Sequence, residues 1–177
     1  ECLILLKEVG ERRISLERAR GGASLPLPEQ EVRVDAAGHY VVAFRPPLAA
    51  EDWNAQISLM TGMAAASLML HAKVGILRTM PAPDHDAVRR FHRQARALGV
   101  SWPPMVPYGE LLRSLDRDNP THLALIHEAT ALFRGAGYTP FEGRVPDPFG
   151  HAAVAAPYAH VTAPLRRLVD RFGLVVC

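Results

Sequence analysis

From Trp53 to Ala72 the chain carries no Asp, Glu, Lys or Arg, and the stretch is rich in Ala, Leu and Met. That composition favours helix, and an uncharged helix needs burial. The chain must therefore fold around one long helix, expected from about Glu51 to His71 and buried on most sides. It does not read as a membrane span. Ile57 to Leu70 is interrupted by Ser58, Thr61, Gly62 and Ser67, and falls short of the ~18 apolar residues a crossing helix needs. With no charged-then-apolar leader in view, a soluble cytoplasmic protein is expected.

Glycine and proline punctuate the rest. Residues 3 to 20 read as a helix with Leu5, Leu6, Val9 and Leu16 on one side, stopped by Gly21-Gly22. Beyond the extended Leu25-Pro26-Leu27-Pro28, Glu31-Val32-Arg33-Val34 alternates, Asp35-Ala36-Ala37-Gly38 turns, and His39 to Arg45 alternates again before Pro46-Pro47. That is a β-hairpin. Val74 to Arg78 reads as a short strand. Asp84 caps a helix to about Leu98, with Val88, Phe91, Ala95 and Leu98 inward. A loop over Ser101 to Pro107 leads to a short helix from Tyr108 to Leu115. Asn119-Pro120 then opens a helix to Phe133. Arg134-Gly135-Ala136-Gly137 must be irregular, and the stretch to Gly150 carries three more prolines. The expected class is α/β, mainly helical with one β-hairpin and short extra strands. The apolar ends, Leu3-Ile4-Leu5-Leu6 and Leu174-Val175-Val176, point to an excerpt of a longer protein.

Twenty basic residues against eighteen acidic leave a net charge of +2. That is too balanced to hold nucleic acid by bulk charge, though it allows a local basic groove. Cys2 and Cys177, the only cysteines, make neither a disulfide framework nor a zinc pattern. Asp84-His85-Asp86 fits helix capping better than metal binding, because no second ligand cluster accompanies it. Arg89, Arg90, Arg93 and Arg96 share one helix face and read as a solvated row, with phosphate tracking as the other option. The glycines of Arg134-Gly135-Ala136-Gly137 allow a ligand close to the backbone before Tyr138-Thr139-Pro140-Phe141, but no phosphate-loop Lys-Ser/Thr pair follows.

Residues 158 to 171, YAHVTAPLRRLVDR, differ in kind. Thr162 or Ala163 is the expected cap and Pro164 stands in the first turn. Leu165, Leu168, Val169 and Phe172 form the expected buried stripe. Arg166 and Arg167 then occupy the first helical turn, where the dipole disfavours cations unless an anion shares the site. An Arg166–Asp170 pair on a solvated helix is the competing account. These residues alone leave the two even.

This segment resembles the YAHFTSPIRRYADL-type signature of the RNB catalytic domain of the ribonuclease II/ribonuclease R exoribonucleases. Arg20 to Val32 (RGGASLPLPEQEV) is similar to the family's Arg-Gly segment leading into a hairpin. Asn54 to Leu70 is similar to its long helix, so the matches bracket residues 12 to 174. The wording, with Ala163 and Leu168, is most similar to an actinobacterial-type branch. The resemblance implies an RNB-type α/β fold that threads single-stranded RNA to a buried Mg²⁺ site and hydrolyses it from the 3′ end to nucleoside 5′-monophosphates. It puts Arg166 on the scissile phosphate, and Tyr158, His160, Thr162 and Arg167 among the RNA-binding residues. A monomer with no membrane partner is expected.

The departures are specific. The family's aspartate-rich metal motif is absent, so residues 1–177 resemble the C-terminal part of the domain. Mg²⁺ would be bound by residues outside this chain, with no metal ligand within it. Where the family has Glu-Glu just before the Met-Ile of the long helix, this chain has Trp53 and Asn54, with Glu51 and Asp52 nearby, which makes Asn54 and Asp52 the possible site of a displaced carboxylate. Leu168 replaces a usual Tyr. The alternative is a catalytically degenerate RNA-binding protein of the same fold. A helical interaction module, whose arginines only meet partner carboxylates, is the third option.

Overall fold

A computed structural model describes residues 1–25, 27–45 and 47–177. The roles expected of Pro26 in the linker and Pro46 after the hairpin lie outside the described residues. Helix α1 (Cys2–Ala19) ends where Gly21 takes φ +83°. The hairpin follows as β1 (Glu29–Val34) and β2 (Tyr40–Arg45), paired in register from Glu29 with Arg45 to Val34 with Tyr40. Its turn is held by Asp35 Oδ1, which accepts from the amides of Ala37 and His39, both at 2.9 Å. Helix α2 (Ala49–Ala72) opens on Glu51, whose carboxylate accepts the Leu48 amide at 2.7 Å and also pairs with Arg45. The hairpin is thereby tied to the start of α2.

Two cores organise the chain. One gathers Phe91 of α3 (His85–Ala97), Leu112 of α4 (Tyr108–Ser114), Leu125 and Ile126 of α5 (Pro120–Glu128), and Leu132 of the 3-10 turn Ala129–Phe133. The caps expected at Asp84 and Asn119 are present, accepting from Ala87 and from Thr121 and His122. The other core joins Ala65, Ala66 and Met69 of α2, Leu77 of β3 (Val74–Thr79), and Ala159 and Val161. Strand β3 pairs antiparallel with β4 (Gly137–Glu142), while the short β5 (Gly150–His151) and β6 (Ala156–Pro157) pair with each other. The last helix is α6 (Leu168–Val176). The architecture is mixed α/β, mainly helical, as expected, and no described helix is long and apolar enough to cross a membrane.

Several local expectations need correction. In α1 the buried positions are Gly10 and Glu17, whereas Leu5, Val9 and Leu16 are exposed. Close approach decides the face: a Cβ on Gly10 would stand 2.5 Å from Trp53 Cβ, so the glycine side of α1 turns to α2. Glu17 follows it inward and accepts from Gln56. Helix α2 is not buried on most sides. Gln56, Gly62, Ala65, Ala66 and Met69 form its buried stripe, and Leu68 stays 56% exposed because the described elements cover one side only. Strand β4 starts at the last residue of the stretch expected to be irregular and runs through a segment to which the sequence assigned no strand. Pro140, which lacks an amide proton, is tolerated there because β4 is an edge strand.

Candidate functional site: an arginine turn beside an aromatic cluster

Residues 158–167 are pinned to the sheet and to α2 by their backbone. The Arg78 amide donates to the Tyr158 carbonyl at 2.8 Å, and the Ala159 amide donates to the Gly62 carbonyl at 3.1 Å. Gly62 is what allows this approach, since a Cβ there would meet Tyr158 Cε2 at 2.2 Å and the Ala159 carbonyl at 2.6 Å. Gly62→Ala should therefore destabilise the protein by about 1–3 kcal/mol through overpacking, although alanine is the better helix former. A denaturant melt checks this; a variant as stable as the parent would contradict it.

Beyond that anchor the chain does not enter a helix at Pro164. The amides of Arg166 and Arg167 donate to the Ala163 carbonyl at 3.2 and 3.1 Å, forming a turn, and α6 begins only at Leu168 with Arg167 as its cap position. The expectation that both arginines sit in the first helical turn is corrected. So is the expected stripe, because Leu165, Leu168 and Phe172 are exposed and the buried positions of α6 are Asp170 and Gly173. Asp170 is the reason. Fully buried, it accepts the Ala163 amide at Oδ1 (2.7 Å) and both faces of the Arg167 fork, Nε at 2.9 Å and Nη2 at 2.8 Å. A carboxylate reaching back from the first turn of α6 thus holds the turn as a non-helical loop.

The pair expected as Arg166–Asp170 is Arg167–Asp170. Arg167 is engaged inside the protein, and Arg166 is exposed with no ion pair among the described residues. Burial alone would push the Asp170 pKa up, but the Arg167 fork and the Ala163 amide outweigh it, leaving the carboxyl below its ordinary value.

An aromatic cluster adjoins the turn. The Tyr138 hydroxyl and His160 Nδ1 are 2.8 Å apart, Tyr158 meets His160 edge-on at 5.5 Å, and His151 meets Tyr158 at 5.8 Å. Burial, reinforced by Arg167 and Arg78, lowers the His160 pKa from 6.5 to about 4. His160 is therefore neutral near pH 7, and with its proton on Nε2 it accepts the tyrosyl hydrogen bond at Nδ1. Tyr158 is buried, His160 half-buried and Thr162 exposed.

The structure brings Tyr158, His160, Thr162, Arg166 and Arg167 together on one segment. Asp52 and Asn54 are exposed near the start of α2, and Asn54 lies about 12 Å along the helix axis from the Gly62 anchor. Glu51 is occupied by Arg45 and the Leu48 amide, which hold its pKa down. Among the described residues no group of three or more His, Cys, Asp or Glu side chains could hold a metal ion. The donor set of this chain therefore does not fit a Mg²⁺ site. A separate shallow pocket of about 310 Å³ at His92, Arg96 and Trp102 includes none of the motif residues.

No family model matches the chain, and no curated protein does. Solved structures do. Mycoplasma genitalium RNase R in complex with ribose-methylated single-stranded RNA aligns with a TM-score of 0.79 at 17% identity, covering 97% of this chain and 27% of that one. The same enzyme in complex with double-stranded RNA gives 0.76 at 18% identity, over 97% and 31%. Yeast Ssd1, a pseudonuclease, gives 0.64 at 16%, over 98% and 22%. This chain thus shares the fold of a part of these proteins and spans less than a third of their length.

Proposed function

We propose that this chain is the C-terminal, phosphate-binding part of an RNB domain in a Mg²⁺-dependent exoribonuclease. That enzyme would degrade single-stranded RNA from the 3′ end to nucleoside 5′-monophosphates. Arg166 is the residue on the scissile phosphate. The observation that carries the reading is the division between neighbouring arginines: Arg167 is locked to buried Asp170, while the turn it stabilises leaves Arg166 exposed and free of a carboxylate. A free guanidinium fork on an ordered turn suits a phosphate. The shared fold with RNase R supports the same reading. Mg²⁺ would be held by residues outside this chain.

The alternative, a degenerate RNA-binding protein of this fold, is favoured by Asn54 where the family carries a carboxylate; the likeness to a pseudonuclease is compatible with it. Release of nucleotide from labelled oligo(A) separates the two. The full-length protein should release 5′-monophosphates with Mg²⁺, and residues 1–177 alone should release none. If Asn54 marks a lost general base, Asn54→Glu should raise turnover by about 10²–10⁴-fold. If Asp52 serves instead, Asp52→Asn should be the damaging change. Oligo(A) binding without turnover in every variant would favour the degenerate protein. No binding at any salt concentration would reject both.

A further inference from the structure

Pairing of β3 with β4 sets Arg78 directly opposite Tyr138. The guanidinium carbon lies 4.8 Å from the centre of the tyrosine ring, a cation–π contact. At the ring's rim the hydroxyl is fixed by Nδ1 of His160, and the two rings stand edge to face at 5.7 Å. The ring is therefore held at one face and at its rim. Even so, Tyr138 remains 45% exposed.

A tyrosine that only fills space is covered. One that is locked in orientation and still half open presents a flat surface at little entropic cost. Arg78 also lacks a carboxylate partner in every ion pair among the described residues. Among the described residues no carboxylate lies within ion-pair distance of it. Through His160 the same cluster joins the segment that turns at Ala163 to present Arg166. A half-exposed ring fixed in orientation, an unpaired guanidinium against one of its faces and a second free guanidinium farther along the segment match what a single strand offers: bases to stack and phosphates to neutralise.

We propose that Tyr138, backed by Arg78, is a stacking platform for one nucleobase of single-stranded RNA, with the Arg78 guanidinium meeting an adjoining phosphate. The proposal rests on the reading that this protein binds RNA, and it adds a contact outside the 158–167 segment. Because every base has a stacking face, the platform should tolerate all four bases. His160 acts as a positioning residue that fixes the ring.

The test places 2-aminopurine in turn at successive positions of a short oligo(A). Binding to the full-length protein is followed by fluorescence, with divalent metal withheld so that the strand stays intact. At one position the fluorescence should be quenched on binding. Tyr138→Ala should abolish that quenching and weaken binding roughly tenfold, while Tyr138→Phe should retain most of both because the ring remains. Arg78→Ala should weaken binding and reduce the salt slope by about one. Tyr138→Leu, which keeps apolar volume without a ring, serves where the alanine variant folds poorly, and it should lose the quenching too. Quenching and affinity indifferent to Tyr138, in a protein that binds oligo(A), would overturn the platform and leave the RNA reading intact. A protein that fails to bind oligo(A) at all would overturn both.

Discussion

Arg166→Ala should lower RNA hydrolysis by the full-length protein by roughly 10²–10³-fold, about 3–4 kcal/mol in the barrier, without moving the melting temperature. The two halves of this expectation have separate grounds. Arg166 is exposed and makes no ion pair among the described residues, and removing such a surface group usually changes stability by less than about 0.5 kcal/mol. The kinetic half follows from where charge grows in phosphoryl transfer. A donor aimed at the scissile phosphate is worth most in the transition state, so kcat falls while affinity, spread over many phosphate contacts, falls far less. Arg166→Lys should recover only part of the loss, since an ammonium cannot replace a planar two-point fork. Single-turnover kinetics beside a thermal melt decide. Unchanged single-turnover rates would remove Arg166 from the chemistry, and a large fall in melting temperature would assign it a structural role instead.

How much of this was legible in the sequence depends on whether a feature is local. The hairpin, the stop of α1, the start and stop of α3 and the start of α5 are written in residues that act on their immediate neighbours: Gly21 at positive φ, the Asp35 turn, the Asp84 and Asn119 caps. The stop of α5 is not: the helix expected to run to Phe133 ends at Glu128 and continues only as a 3-10 turn. Strand β4 is different. Its partner β3 lies about sixty residues away along the chain, and Pro140 demotes the segment in any local reading. With β4 hidden from a local reading, the Arg78–Tyr138 pair is hidden too.

The inward face of α1 departs from the expected apolar side for a related reason. A small residue set the crossing with α2, so Gly10 and Glu17 went inside while the leucines stayed out. The turn at 163–166 was misread as helix because Pro164 and the i,i+4 spacing of Arg166 and Asp170 are good helix signals. What overrode them is a buried carboxylate with better partners, the Ala163 amide and the Arg167 fork. The motif was legible as a string, but the division of labour between its two arginines was not.

That division yields the largest expected stability effect. Arg167→Ala should destabilise the protein by about 3 kcal/mol, because removing one partner of a buried pair strands the other charge. For a domain of this size that is a fall of about 6–12 °C in melting temperature. Asp170→Ala should cost less through charge: Arg167 is 22% exposed and can turn to water, whereas Asp170 is at 0% and cannot. The double variant should be less damaged than the two single losses added together, the mark of a coupled pair. The pH dependence follows from the lowered Asp170 pKa. In the parent, the native state holds its Asp170 proton less tightly than the unfolded chain does. This stabilisation is therefore complete above the ordinary aspartate range, near pH 4, and is lost as pH falls through the lower native value. In Arg167→Ala the main force holding that pKa down is gone and burial pushes it up, so the native state takes up the proton first and acid relieves the strain. The stability gap between parent and variant should thus be widest near pH 7 and close as the pH drops below about 4. A gap that stays constant from pH 7 to pH 3 would mean that Arg167 contributes packing rather than charge. Per folded molecule, turnover in Arg167→Ala should fall less than in Arg166→Ala, since its guanidinium is engaged by Asp170 and Arg166 is the arginine proposed to meet the phosphate.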